Sequence, residues 1–97
     1  MPDSNAVLPP VHHDVDGARF LLHVDGHEAV LEYERRDGAM VITHTRVPDA
    51  IGGRGIAAAL VRAALEHAGA QGLRVVPACS YAAVFMQRHG EYADLLE

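Results

Sequence analysis

Gly52-Gly53-Arg54-Gly55-Ile56-Ala57, running straight into the alanine-rich stretch Ala57 to Ala70, is the part of the chain on which the fold turns. Three glycines in four positions permit a sharp turn with no side chains over the backbone. Several N–H groups can then converge on one anionic group where the helix begins. That is the physics of a phosphate cradle, although glycines also make plain strand-to-helix turns. Two familiar cradles are excluded. Ile56-Ala57 stand where a nucleoside-triphosphate loop has its lysine and hydroxyl. The GxGxxG spacing after a first strand, which a dinucleotide site needs, is missing. What remains is a phosphate or pyrophosphate site made mainly of backbone, with Arg54 as its charged supplement.

Working outward from the loop, the hydrophobic period changes. Downstream, Ile56, Leu60, Val61, Ala64, Leu65 and Ala68 recur at helical spacing, which predicts an amphipathic helix ending near Gly69 or Gly72. Leu73 to Val76 is short and β-prone, placed to pair in parallel with an earlier strand across a right-handed crossover. Tyr81 to His89, closed by Gly90, reads as a last helix, and Tyr92, Leu95 and Leu96 in the tail are available for docking. Upstream, Arg19 to Val24 and His27 to Arg36 are strands parted by Asp25-Gly26. A second Asp-Gly pair, Asp37-Gly38, leads to Met40 to Val47. The expected fold is mixed α+β: an antiparallel β-meander, a βαβ unit and a C-terminal helix. Residues 1–17 hold three prolines and no periodic pattern, and read as a flexible lead-in to one domain over 18–97.

Composition narrows the function. With 97 residues, 49 % apolar and 22 % charged, the chain suits one small globular domain. A net charge of −5 with scattered basic residues argues against nucleic acid. No apolar run approaches a bilayer span. A lone cysteine and no secretory pattern make a reducing, cytoplasmic setting the expectation, and a monomer the simplest assembly.

Few side chains carry chemistry. Cys79 falls between a strand end and a helix start, where unpaired N–H groups favour the thiolate a nucleophile requires. The alternative for a lone cysteine is a small buried apolar residue. His44, on the face of Met40 and Ile42 if the strand is regular, is a candidate general base or a strand histidine with a satisfied ring. Tyr81 and Tyr92 could donate a proton to a leaving thiolate or pack at the core's edge. The seven histidines match no metal-ligand spacing, so no metal is expected.

The order of strands, GGRGIA, helix, short strand and last helix resembles the GCN5-related N-acetyltransferase (GNAT) superfamily, above all its small single-domain YidJ-like and NATD1-like members, over roughly Phe20 to Leu96. That superfamily's pyrophosphate signature, [QR]-x-x-G-x-[GA], is met at Gly55 and Ala57, while Gly52 replaces the Gln or Arg. Three further segments resemble the small members. They are His44-Thr45-Arg46-Val47-Pro48, Pro77-Ala78-Cys79-Ser80-Tyr81 and His89-Gly90-Glu91-Tyr92, where Gly90 replaces a proline. The resemblance implies acetyl-CoA as donor, held by Val47, Gly52, Gly53, Arg54, Gly55, Ile56, Ala57, Ala58 and Tyr81. Its pyrophosphate would lie on the N–H groups of Gly53 to Ala58, its pantetheine arm between the Met40 and Leu73 strands, and its thioester near Cys79. The implied function is acetyl transfer to an amine on a small molecule or a peptide, directly or through Cys79, with His44 as base. The alternative is a CoA-binding or interaction module without efficient catalysis.

Overall fold

The computed structural model describes residues 8–97. Five strands form one sheet in the order β1-β2-β3-β4-β5: β1 (His12–Asp14), β2 (Arg19–Val24), β3 (His27–Arg36), β4 (Ala39–Arg46) and β5 (Arg74–Pro77). β1 to β4 are antiparallel neighbours, and β5 joins β4 in parallel after helix α1 (Ile56–Ala70). Helix α2 (Ser80–Arg88) and a 3₁₀ segment, Gly90–Leu95, complete the chain. The mixed α+β meander-then-crossover architecture is thus the one the sequence predicts. No helix is long and apolar enough to cross a membrane.

The hairpin turns show why Asp-Gly is decisive. Asp25 and Gly26 have φ of 51° and 78°, Asp37 and Gly38 of 52° and 79°, so both central residues of each turn are left-handed. Their twist matches that of the flanking strands, and aspartate and glycine tolerate the conformation best. The core lies between the sheet and α1. Ile56, Leu60, Val61, Ala64, Leu65 and Ala68 meet Phe20, Leu22, Leu31, Met40, Ile42 and Val75. Ala82, Phe85 and Met86 of α2 close it at one end, and Tyr92 and Leu95 pack against it from the tail.

At the N-terminal end the structure departs from the sequence reading, and at the C-terminal end the tail docks as that reading allows. Within 1–17, read as a flexible lead-in, His12–Asp14 is a strand paired with Arg19–Leu21, and residues 1–7 lie outside those described. At the other end, Leu96 bridges to Val75, and the Glu97 N–H donates to the Val75 carbonyl at 3.2 Å, so the tail shields the outer side of β5.

Candidate functional site

The glycine loop begins with a 3₁₀ turn, Asp49–Ile51, pinned by the fully buried Ile51. Gly53 and Gly55 then take φ of 76° and 77°. A Cβ at either would meet nothing within 4 Å, so these positions need glycine for its backbone freedom and not for room. Gly55 is the N-cap of α1 and no side chain caps that end. The first helical bond runs from the Ala59 N–H to the Gly55 carbonyl at 3.0 Å. The N–H groups of Ile56, Ala57 and Ala58 therefore have no helical carbonyl to meet and point out of the N-terminus.

They face a cavity of about 250 Å³ lined by Val47, Gly52, Gly53, Gly55, Ile56, Ala57, Ala58 and Tyr81. Of the residues the sequence marks as a coenzyme cradle, Arg54 alone lies outside this lining. Its guanidinium donates instead to Asp25 in the β2–β3 turn at 2.7 Å. The cradle wall consequently carries no charged side chain, and its attraction for an anion comes from backbone dipoles.

The pairing of β4 with β5 is short. The β4–β5 ladder ends at Ile42 opposite Pro77, which has no N–H to continue it. One more contact follows, from the Cys79 N–H to the Ile42 carbonyl at 3.0 Å. Past that point β4 has no partner on its β5 side, leaving a short open edge that an extended, amide-bearing chain can join.

Cys79 stands where the strands part, as the N-cap of α2. Its Sγ is 3.5 Å from the Thr45 Oγ1, and its own carbonyl accepts the Ala83 N–H at 3.0 Å. Burial pushes the thiol's pKa up. The Ala82 and Tyr81 N–H groups, the Thr45 hydroxyl and the Thr45 backbone outweigh that and hold it below its ordinary value. The thiol donates to the hydroxyl; once ionised, it can accept from it.

His44 is not part of this arrangement. Leu31 pairs with Thr45 and Glu32 with His44, yet Tyr33 pairs with Ile42, so Thr43 is an extra residue in β4. Its hydroxyl donates to the Glu32 carbonyl at 3.2 Å. This β-bulge shifts the alternation by one. Thr45 is turned to the core face, with Leu31, and His44 to the other, beside Glu32 at 3.6 Å and largely exposed. The expectation that His44 shares a face with Met40 and Ile42 fails for that reason. Thr45 was the residue the sequence reading missed. The nearest signal is the resemblance of His44-Thr45-Arg46-Val47-Pro48 to the small family members, which gives Thr45 no role of its own. Among the described residues, no three His, Cys, Asp or Glu side chains converge to hold a metal.

Open backbone N–H groups at a helix start and a thiol where β4 and β5 part are thus carried on a mixed α+β scaffold. The chain belongs to the GCN5-related N-acetyltransferase family, whose sequence model matches residues 19–95. Protein NATD1 of Bos taurus is 39 % identical over 82 residues, 81 % of this chain and 73 % of that protein. The solution structure of a GCN5-like protein from Staphylococcus aureus superposes with a TM-score of 0.72 at 26 % identity, covering 91 % of this chain and 87 % of the other.

Proposed function

We propose that this protein takes an acetyl group from acetyl-CoA onto Cys79 and passes it to an amine. The observation that carries the reading is the placement of the Cys79 thiol at the fork of β4 and β5, 3.5 Å from the Thr45 hydroxyl and at the start of α2. The open N–H groups of Ile56 to Ala58 suit the donor's pyrophosphate. The free edge of β4 suits the two amides of a pantetheine arm, a length of chain that brings a thioester from the cradle toward the fork.

In this mechanism Cys79 thiolate forms a bond to the thioester carbonyl carbon, and the carbon–sulfur bond of the donor breaks, releasing CoA as a thiolate that takes a proton from water. A neutral amine then attacks the acetyl-cysteine carbonyl, Cys79 leaves as thiolate, and the amine's proton passes to water. Cys79 is ready for the next turn. His44 has no part, since the bulge directs it to the opposite face of the sheet.

Incubation with acetyl-CoA followed by intact-mass measurement tests this. One acetyl group should appear on the wild type and none on Cys79→Ala. Normal turnover of Cys79→Ala with an amine would refute the covalent step and leave direct transfer. The uncharged cradle wall favours a second reading, a CoA-binding module without turnover. Calorimetry separates the two: equal binding of CoA and acetyl-CoA with no loss of thioester would select the module.

A further inference from the structure

At the far end of α1 from the glycine loop, a cavity of about 350 Å³ opens between β1, β3 and the last turns of the helix. Its chemistry is set by His13, Tyr33, Arg35, His67 and Gln71, with Val15 at its lip. We propose that this cavity binds a small organic carboxylate with a ring or short apolar body.

Charge is the first argument. The chain carries a net −5, yet no carboxylate lines this cavity and Arg35 does. Among the described residues Arg35 has no ion-pair partner, whereas Asp14, the nearby acid, is committed to Arg19 at 3.0 Å and to the Gly17 N–H at 3.1 Å. The end of α1 would repel an anion if its last carbonyls were free. Three of the last four are taken: the Gln71 N–H donates to His67, Leu73 to Ala68 and Gly72 to Gly69, which leaves Ala70.

Geometry is the second. His13 lies flat on Phe20, with ring centroids 4.1 Å apart and planes 6° apart, and meets His67 edge-on at 4.4 Å. Its Nε2 is 2.7 Å from the Tyr33 hydroxyl. Burial foremost, and then the neighbouring His67, depress the basicity of His13, with Asp14 opposing and His12 assisting. An incoming carboxylate supplies the missing counter-charge, so binding draws a proton onto the pair. Protonated His13 must donate through Nε2 to the Tyr33 oxygen, which frees the Tyr33 O–H to turn toward the ligand. Val15 is 68 % exposed and offers the apolar body a surface to cover.

Benzoate is the probe and benzamide its neutral control, followed by NMR of the histidine ring resonances. Benzoate should shift His13 and His67 toward their protonated positions and bind roughly tenfold more tightly near pH 6 than near pH 8. Arg35→Gln should weaken it by roughly tenfold, the worth of one charge-assisted contact. His13→Phe, which keeps the stack on Phe20, should abolish the pH dependence. Equal binding of benzamide, unchanged affinity in Arg35→Gln, or unmoved His13 and His67 resonances at about 10 mM benzoate would each overturn the proposal. None of these readouts involves Cys79 or acetyl-CoA.

Discussion

Replacing Thr45 with valine should raise the pKa of Cys79. Valine keeps the shape of threonine and removes the hydroxyl that sits 3.5 Å from Sγ. A hydrogen bond to a charged group is worth about 1.5–3 kcal/mol, and one pKa unit corresponds to about 1.4 kcal/mol. The contact is long and the N–H groups of Ala82 and Tyr81 still favour the thiolate, which places the change at the lower end. The pH dependence of Cys79 alkylation by iodoacetamide reads this directly, because only the thiolate reacts. At any pH below both midpoints, the rate should fall roughly tenfold in Thr45→Val. Above both it should equal the wild type, and Thr45→Ser should restore the original midpoint. Coincident midpoints for the valine variant and the wild type would show that the hydroxyl does not hold the thiolate. The thiolate would then be held by the α2 N–H groups alone.

Gly55→Ala forces an L-residue to φ near 77° with free space around the new methyl, so its cost is conformational, about 1–2 kcal/mol. Calorimetry should show Tm lowered by roughly 4–8 °C per kcal/mol, with an unchanged Tm refuting the strained-loop reading. Leu65→Ala, fully buried between α1 and the sheet, should cost about 2–5 kcal/mol in urea unfolding, and a loss below about 1 kcal/mol would contradict the packing described. Because His13 is less basic folded than unfolded, its contribution to stability is complete above the free-histidine range. It should diminish as pH falls through about 6.5 toward the lowered folded value. His13→Phe keeps the stack on Phe20 and should flatten that part of the Tm-against-pH curve; an identical slope would mean that other groups produce it. Asp25→Asn, which releases Arg54 from an exposed ion pair, should alter stability by no more than about 1 kcal/mol in urea titration.

The elements legible in the sequence are those whose cause is local. Two Asp-Gly pairs specify left-handed turns, and the change from a two-residue to a helical period marks the passage from β4 to α1. What escaped depends on distance. β1 is three residues long and has no period to show; its hold on the sheet comes from the stack of His13 on Phe20 and its bond to Tyr33, twenty positions away. Arg54 reads as a cradle cation until the fold brings Asp25, twenty-nine positions earlier, beside it. The cradle glycines are legible because each acts through its own backbone. Thr45 is not, because its role depends on which face of the strand it occupies.

That face is decided by one residue. Without the extra Thr43, regular alternation from Ile42 would send His44 into the core against α1 and Thr45 out to the opposite surface. An imidazole among Leu31, Ile42 and the helix would need a polar partner there, or remain unsatisfied at a cost of about 1–3 kcal/mol. The bulge avoids that burial and in the same step brings the Thr45 hydroxyl to Cys79. It also falls where the β4–β5 ladder stops, at Ile42 and Pro77. Loss of pairing on one side and reversal of facing on the strand itself thus coincide within a few residues. The half-buried thiol stands at the break and receives its hydroxyl partner through the same irregularity, so the chemistry at the fork is a property of the break in the sheet and not of Cys79 alone.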